Sequence, residues 1–358
     1  MQEIRKIYRT ARREKFPEKV KLVIGESTLE YSKVQWKIDG TMHGLRYGTN
    51  PHQKAALYAS GSIKTGIGHV EWVKWGKDGP SATNIEDGSH GLRVVDYFEE
   101  SAVAVMKHLN PSGVAVGRAG RRLRGVYLAA RDTDPRAAFG SVVVSNRTLD
   151  RETAEEIMKT FVEVVYAPEF EESAVKILGE KKDLRLGKIM KTLDQHRNIP
   201  DLIVLDDGSI ILEDPFVTNI RSINQLKKLA VPTKRTPTLD EYKAMLFAWW
   251  TTCETRSNAI VFWKNNVSLA IGTGQQDRIG SIESCIEKAH RYGHDLKGSI
   301  IASDGFLPKI DNVQAIAKEG VSGIIQPGGS VEDDELIQAC DEHGISMVLT
   351  GERAFRHF

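Results

Sequence analysis

Residues 142–178 read VVVSNRTLDRETAEEIMKTFVEVVYAPEFEESAVKIL. Two apolar runs of strand length, 142–145 and 162–167, each lead into a charged stretch of helical length. Asp150 is the expected N-cap of the first helix, and the second runs from Glu171 to Leu178. Strand followed by helix, repeated, is the signature of βαβ units in a mostly parallel sheet. The pattern returns near the carboxyl end, where short strands at 299–302, 323–325 and 346–349 are separated by helices at 313–319 and 332–343. A capping box, Thr238 with Glu241 three residues on, opens a further helix that closes near Thr252 and carries Met245, Leu246 and Trp249 on its apolar face.

Between these two regions, residues 181–237 are less regular and hold Pro200, Pro215, Pro232, Pro237 and the turn pair Asp207 and Gly208. A change of domain is placed there, near residue 195. A chain of 358 residues also exceeds what one core usually holds, at roughly 100 to 200 residues per domain. The expected units are a helical N-terminal extension (1–44), a first α/β unit (45–195) and a second (196–358). In the extension, Ile4, Ile7, Tyr8 and Ala11 share one helical face, which predicts a surface helix rather than a targeting signal.

Forty-nine basic against 48 acidic residues give a net charge of +1, which excludes the broad positive field of a general nucleic-acid binder. No apolar run approaches the roughly 18 to 20 residues that span a bilayer. Three cysteines, none in a CxxC pair, offer neither a disulfide framework nor a zinc site and suit a reducing cytoplasm.

Residues 106–116, MKHLNPSGVAV, carry the strongest chemical signal. An apolar segment brings Lys107 and His108 side by side into an Asn-Pro-Ser-Gly turn, where a strand end can present polar groups to a cleft. An ammonium beside an imidazole favours its neutral, basic form, which suits proton removal from a weak amine nucleophile. The pair equally suits a lysine reaching water beside a histidine that satisfies a carbonyl. In residues 45–58, LRYGTNPHQKAALY, Arg46 and Tyr47 precede Gly48 and a helix-starting Asn50-Pro51 pair. Guanidinium, phenol and backbone amides there make a phosphate or carboxylate cradle, or an ordinary surface stack.

Asn258, in RSNAI (256–260), stands at a helix-to-strand junction, where its amide either caps backbone groups or orients a carboxamide and stabilises an oxyanion. Residues 271–278, IGTGQQDR, lack the third glycine of a dinucleotide fingerprint. Residues 302–311 (ASDGFLPKID), 326–330 (QPGGS) and 351–357 (GERAFRH) each follow an expected strand, where ligands gather in parallel α/β sheets and where glycines also serve plain turns.

Taken in order, these segments resemble the AICAR transformylase family, the formyl-transferring part of a bifunctional purine-biosynthesis protein that also carries IMP cyclohydrolase. Residues 45–53 are similar to its opening Leu-Arg-Tyr-Gly-x-Asn-Pro-His-Gln, and residues 107–113 to Lys-His-x-x-Pro-x-Gly. Residues 134–140 resemble Asp-Pro-x-x-x-Phe-Gly, and residues 257–261 resemble Ser-Asn-Ala-Ile-Val. The likeness runs from about Leu45 to His357. It implies an α/β fold of two cytidine-deaminase-like α/β/α units related by duplication, without zinc, in an intertwined homodimer with sites across the interface. It also implies formyl transfer from 10-formyltetrahydrofolate to the 5-amino group of AICAR, giving FAICAR and tetrahydrofolate.

By the same resemblance, Lys107, His108 and Asn258 are catalytic: His108 as base, Lys107 beside it and on the substrate phosphate, Asn258 on the carboxamide or oxyanion. Arg46, Tyr47, Gly113, Arg278, Phe306, Asp311, Arg353 and His357 would contact substrate. Arg136, Phe139, Gly140, Glu163 and Pro308 would line the folate side, and Asp304 marks a region where the family can hold a potassium ion. Three places depart from the family: Asp277 replaces a serine before Arg278, where it could offer that arginine an internal partner; Lys309 and Ile310 replace Phe-Arg; and Phe358 follows the usual terminal histidine. Residues 1–44 have no counterpart in the family, so IMP cyclohydrolase activity is expected to belong to a separate protein. Two other readings stay open: a different formyl donor, or a nucleotide-binding regulatory protein on the same scaffold.

Overall fold

In the strand Ala102–Lys107, Ala102, Ala104 and Met106 face one layer of helices while Val103 and Val105 face another, so the sheet containing it is buried on both sides. The computed structural model describes residues 10–118, 120, 122–190 and 200–357. The N-terminal region supplies β1 (Lys19–Ile24), β2 (Ser27–Lys33), β3 (Trp36–Ile38), β4 (Thr41–His43), β5 (Tyr58–Ser60) and β6 (Glu71–Lys74). The first α/β unit is α1 (Ala82–Asp96), β7 (Ala102–Lys107), β8 (Asn110–Val116), α2 (Leu123–Thr133), β9 (Ser141–Ser145), α3 (Arg151–Ile157), β10 (Val162–Ala167), α4 (Glu172–Gly179) and β11 (Arg185–Lys188). A hairpin, β12 (Asp201–Val204) and β13 (Ile210–Glu213), and α5 (Ile223–Leu226) lead to the second unit. That unit is α6 (Leu239–Cys253), β14 (Ile260–Lys264), β15 (Val267–Gly272), α7 (Arg278–Arg291), β16 (Ile300–Ser303), α8 (Ile310–Lys318), β17 (Gly323–Gln326), α9 (Asp333–Glu342) and β18 (Ser346–Leu349).

One 11-stranded sheet runs through both units in the order β18-β17-β16-β14-β15-β8-β7-β9-β10-β11-β6. Each unit repeats the other: a helix, a hairpin, then three strands reached through helical crossovers, giving β8-β7-β9-β10-β11 and β15-β14-β16-β17-β18. The expected strands and helices form within a few residues of their anticipated bounds, and Asp150 and Thr238 cap their helices as read. The sheet is mixed rather than mostly parallel. Parallel pairing is confined to β9-β10-β11 and β16-β17-β18, because each unit begins with a hairpin.

The units meet at β8 and β15, where one residue pair, Val267 with Ala115, is in antiparallel register. The Ser268 hydroxyl extends the ladder, accepting from the Val114 amide at 2.9 Å and donating to the Val114 carbonyl at 3.1 Å. A side chain thus satisfies backbone groups that would otherwise be stranded in a dry seam. One face of the whole sheet packs on α1 and α6 in a single core; the other is covered by α2–α4 in the first unit and α7–α9 in the second. Helix α6 is buried nearly all round rather than along one stripe. Trp249 and Trp250 donate their indole N–H groups to Thr218 Oγ1 and the Ile220 carbonyl, in the segment that covers its outer side.

Three local expectations are corrected. The N-terminal extension is not helical where it is described: β1, β2 and β5 form one small antiparallel sheet and β3 and β4 another, Ala11 lies outside any helix, and Ile4, Ile7 and Tyr8 fall outside the described residues. No helix starts at Asn50-Pro51, because Gln53 Oε1 accepts from the Asn50 amide at 2.8 Å and closes a turn. Asn110-Pro-Ser-Gly is strand, not turn. The chain reverses one step earlier, and Pro111 is accommodated where the β7–β8 register shifts. The domain change near residue 195 lies outside the described residues.

The junction after α6 is fixed by Glu254, which has no solvent exposure. Its carboxylate accepts from Arg93 Nε on α1 at 2.9 Å, from Arg356 Nη2 at 3.1 Å and from the Tyr97 hydroxyl at 3.3 Å. Burial alone would push this carboxyl up; the charges of Arg356 and Arg93 outweigh it and hold it below the usual carboxylate range. Glu254→Ala leaves two guanidinium groups around an empty buried position, so unfolding free energy in urea titrations should fall by about 3–5 kcal/mol. A loss under about 1 kcal/mol would show that the network is dispensable.

Candidate active site

At the carboxyl end of β7 the chain turns through His108 and Leu109, at φ 53° and 67°. Asn110 closes the turn by donating Nδ2–H to the His108 carbonyl at 2.9 Å. From α1, Asp87 Oδ1 accepts the Leu109 amide at 2.6 Å. Lys107 Nζ donates to the carbonyls of Phe139 at 3.1 Å and Gly140 at 2.6 Å, which holds it against the loop leading into β9. The adjacent pair is therefore divided in role: the lysine is anchored to backbone, and His108 stands exposed at the turn.

Beside this edge lies a pocket of about 200 Å³ bordered by the cations Arg46, Lys77 and Arg185, the carboxylates Glu163 and Asp183, and Tyr47 and Phe161. Arg46 donates to the Tyr47 hydroxyl at 3.1 Å and lies 4.6 Å from its ring centre, yet its buried Nε has no hydrogen-bond partner. Arg185 holds the carbonyls of Gly79 and Lys77 at 2.6 and 2.8 Å. Burial and then the charge of Arg46 push the Arg185 guanidinium down to about 10. Two crowded guanidinium groups and an unused donor favour an anion in this pocket. Glu163 accepts from Asn84 Nδ2 at 2.8 Å, and Phe139 and Phe161 lie 5.2 Å apart with Phe139 well exposed. Arg136 is exposed on the loop before Phe139.

A second group forms on the second unit. The Ser257–Asn258 peptide is cis. Arg278, at the start of α7, donates Nη2–H to Asn258 Oδ1 at 2.6 Å and Nη1–H to Ser303 Oγ and Asp304 Oδ1, while Asn258 Nδ2 donates to the Gln275 carbonyl at 2.9 Å. Gly305 passes between Arg278 and Phe355, where an added Cβ would come within 2.6 Å of Nη2 and 2.7 Å of the ring. Arg353 stacks over Phe355 at 4.4 Å and His357 meets its edge at 5.9 Å. Arg353 and His357 also border a cavity of about 500 Å³ against α1 and the β12–β13 hairpin. Phe306 and Pro308 lie on the segment between β16 and α8 and Asp311 in the first turn of α8, with Phe306 and Asp311 exposed.

Asn110 joins the two groups. Its Oδ1 accepts from the Arg256 amide and the Thr273 hydroxyl, both at 2.9 Å, so one side chain spans the His108 turn and the segment leading to Asn258. Asn110, Asp87 and Arg185 carry much of the geometry and were not singled out from sequence. Asn110 at least lies inside the KHLNPSG stretch, whereas Asp87 and Arg185 meet the site only through the fold.

Three assignments change in the structure. Gly113 is buried within β8, where a Cβ would sit 2.0 Å from the Ala130 carbonyl; it is a packing position under α2 rather than a ligand contact. Asp277 caps α7 by accepting the Gly280 amide at 2.7 Å, and the internal partner of Arg278 is Asp304 instead. Asp304 is wholly buried, with one carboxylate oxygen on Arg278 and the other accepting from Ser257 Oγ. Its charge is neutralised by the guanidinium, so in this arrangement it anchors Arg278 and does not fit a potassium ligand. Among the described residues no group of three His, Cys, Asp or Glu side chains is placed to hold a metal.

Burial raises Asp87 to about 6, against a model-peptide value of 3.8. A carboxyl raised in the folded state binds its proton more tightly there, so the stabilisation is present below about pH 4 and is lost as pH rises through 6. The shift corresponds to about 3 kcal/mol. Asp87→Asn keeps an acceptor for the Leu109 amide and should flatten urea midpoints between pH 4 and 6.5. An unchanged slope would place the titration elsewhere.

The AICARFT/IMPCHase bienzyme family model matches residues 6–288. Similar proteins include the bifunctional purine biosynthesis protein PurH of Aquifex aeolicus (strain VF5), 39% identical over 320 residues that cover 88% of this chain and 60% of the relative. PurH of Persephonella marina (strain DSM 14350 / EX-H1) is 41% identical over 87% of this chain and 59% of its own length, and that of Thermoanaerobacter sp. (strain X514) is 37% identical over 94% and 63%. The chain thus spans about 60% of the length of the curated relatives it matches. The sequence match places this chain in the AICARFT/IMPCHase bienzyme family, whose relatives here are bifunctional purine biosynthesis proteins.

Proposed function

We propose that this chain transfers the formyl group of 10-formyltetrahydrofolate to the 5-amino group of AICAR, giving FAICAR and tetrahydrofolate. The observation that carries the reading is the anion pocket of Arg46 and Arg185 beside the Lys107–His108 edge. A nucleotide phosphate satisfies the unused Arg46 donor, and the base then lies towards the turn that presents His108. The amine is a weak nucleophile because its lone pair is delocalised into the imidazole and carboxamide, so His108 removes its proton as the tetrahedral centre forms. Asn258, fixed by Arg278, orients the carboxamide or stabilises the oxyanion. Phe139 offers an exposed aromatic face for the flat folate ring, with Arg136 and Gly140 on the same loop, and the family resemblance adds Glu163 and Pro308 to the folate side.

The assembly proposed is a homodimer whose sites combine residues of two chains. Hairpin β12–β13 supports it: Leu202, Ile203, Val204, Ile210, Ile211 and Leu212 are each at least 40% exposed, an apolar surface that a second copy would cover. The repeated strand order supports duplication of a cytidine-deaminase-like unit. No helix among the described residues is long and apolar enough to cross a membrane, and the reaction proposed belongs to the cytoplasm.

Purified protein supplied with AICAR and 10-formyltetrahydrofolate should release tetrahydrofolate, followed by absorbance, without forming IMP. His108→Ala should lower turnover by about two to four orders of magnitude while leaving AICAR binding nearly unchanged. Unchanged turnover in that variant would remove His108 from the chemistry, and no tetrahydrofolate from the parent would sink the reaction itself.

If Lys107 and Asn258 of one site come from different chains, mixing inactive Lys107→Ala and Asn258→Ala proteins should restore part of the activity. No recovery after mass spectrometry has verified subunit exchange would show that both residues belong to one chain's site or that the assembly differs.

A further inference from the structure

The seam between β8 and β15 relates the two units, and the arrangement at the Lys107 end recurs on the other side. The His108–Leu109 turn is matched by Asn265–Asn266, at φ 56° and 63°. Lys107, bound to carbonyls just before β9, is matched by Lys264, whose Nζ donates to the Lys297 carbonyl at 2.5 Å just before β16. Asn110 reaches past the end of β15; in the same way Arg118, just past the end of β8, donates Nη2–H to Asn265 Oδ1 at 3.0 Å. Capping boxes start α1 at Ser81 and α6 at Thr238, so the helix beside each turn is fixed alike.

The recurring end encloses a cavity of about 570 Å³, bordered by Glu100, Arg118, Asp240, Lys243, Trp263 and Lys264 among others. That volume falls within the range of small-molecule sites, roughly 300–1,000 Å³. Its charges are unevenly paired. Lys243 meets Glu100 at 3.1 Å and Lys264 meets Asp295 at 2.9 Å. Arg118, in contrast, has the neutral Asn265 amide as its side-chain partner, and Asp240 has no side-chain partner among the described residues. Trp263 is wholly buried at the cavity wall, and its Nε1–H has no acceptor. An occupant that completes the two exposed groups brings an anion for Arg118 and an N–H donor for Asp240.

We propose that this cavity is a second small-molecule site, distinct from the Lys107–His108 edge, that takes a nucleoside 5′-monophosphate. Its phosphate lies at Arg118 and its base amino group at Asp240. The assignment rests on the cavity and on the repeat of the fold, not on the formyl-transfer reading.

Isothermal titration of the full chain with adenosine 5′-monophosphate tests it. The Arg46→Gln protein, which lacks the free guanidinium donor of the first pocket, should retain a saturable site. Adding Arg118→Glu should weaken that binding at least tenfold, with the urea midpoint unchanged because Arg118 is exposed. Asp240→Ala should weaken it as well, by removing the partner of the base. Absence of saturable binding in the Arg46→Gln protein, or affinity in it indifferent to both Arg118→Glu and Asp240→Ala, would overturn the proposal.

Discussion

The buried carboxylate of Glu254 is the constraint on which the site's geometry hangs. Taking a carboxylate fully out of water costs several kcal/mol, and the cost is offset only if the surrounding donors are placed by the rest of the fold. Here three donors come from two directions: Arg93 and Tyr97 at the end of α1, and Arg356 from the C-terminal segment. Arg356 also donates to the Cys253 carbonyl, at 2.8 Å, and its amide donates to Ser257 Oγ. One charge therefore fixes the segment that carries Asn258 and the tail that carries Arg353 and His357 to the helix that supports Asp87. Neither unit makes this network alone.

The seam has the same logic on a smaller scale. With one registered pair between β8 and β15, the sheet would be weak at its centre, and the Ser268 hydroxyl supplies the missing bonds. Thr133 Oγ1 donates to the Ser268 carbonyl at 2.7 Å, which ties α2 of the first unit to a strand of the second. Gly113 belongs to this packing: its missing side chain lets β8 approach the last turn of α2. A glycine inside a recognisable motif can thus serve close packing while Lys107 and His108, a few residues before it, stand at the open strand end.

Both chemical groups sit at strand ends because that is where an α/β sheet leaves backbone and side chains free of the covering helices. At the first, anchored Lys107 and crowded Arg46 and Arg185 concentrate positive charge near an exposed imidazole. At the second, Asp304 spends its charge on Arg278, and Arg278 in turn holds an amide in place. The two differ in character, one an open anion pocket and the other a pre-set hydrogen-bond array, and Asn110 keeps them in register.

Periodicity in the sequence determined the helices and strands of both units, the caps at Asp150 and Thr238, and the alternation that makes an α/β sheet, because these follow from local hydrophobic spacing and local hydrogen bonds. The motifs around Arg46, Lys107 and Asn258 were legible only together, through their order in the family resemblance, since each alone also suits ordinary turn, cap or surface chemistry. Strand direction was not: a hairpin and a crossover leave similar apolar runs, and only the positive φ at His108 and Leu109 put the reversal before Asn110 rather than after it. The N-terminal strands and the buried face of α6 likewise depended on what packs against them. The partners Asp87, Arg185 and Glu254 came from tertiary structure alone. Their role arises from burial beside charges distant in sequence, and spacing along the chain carries no record of that proximity.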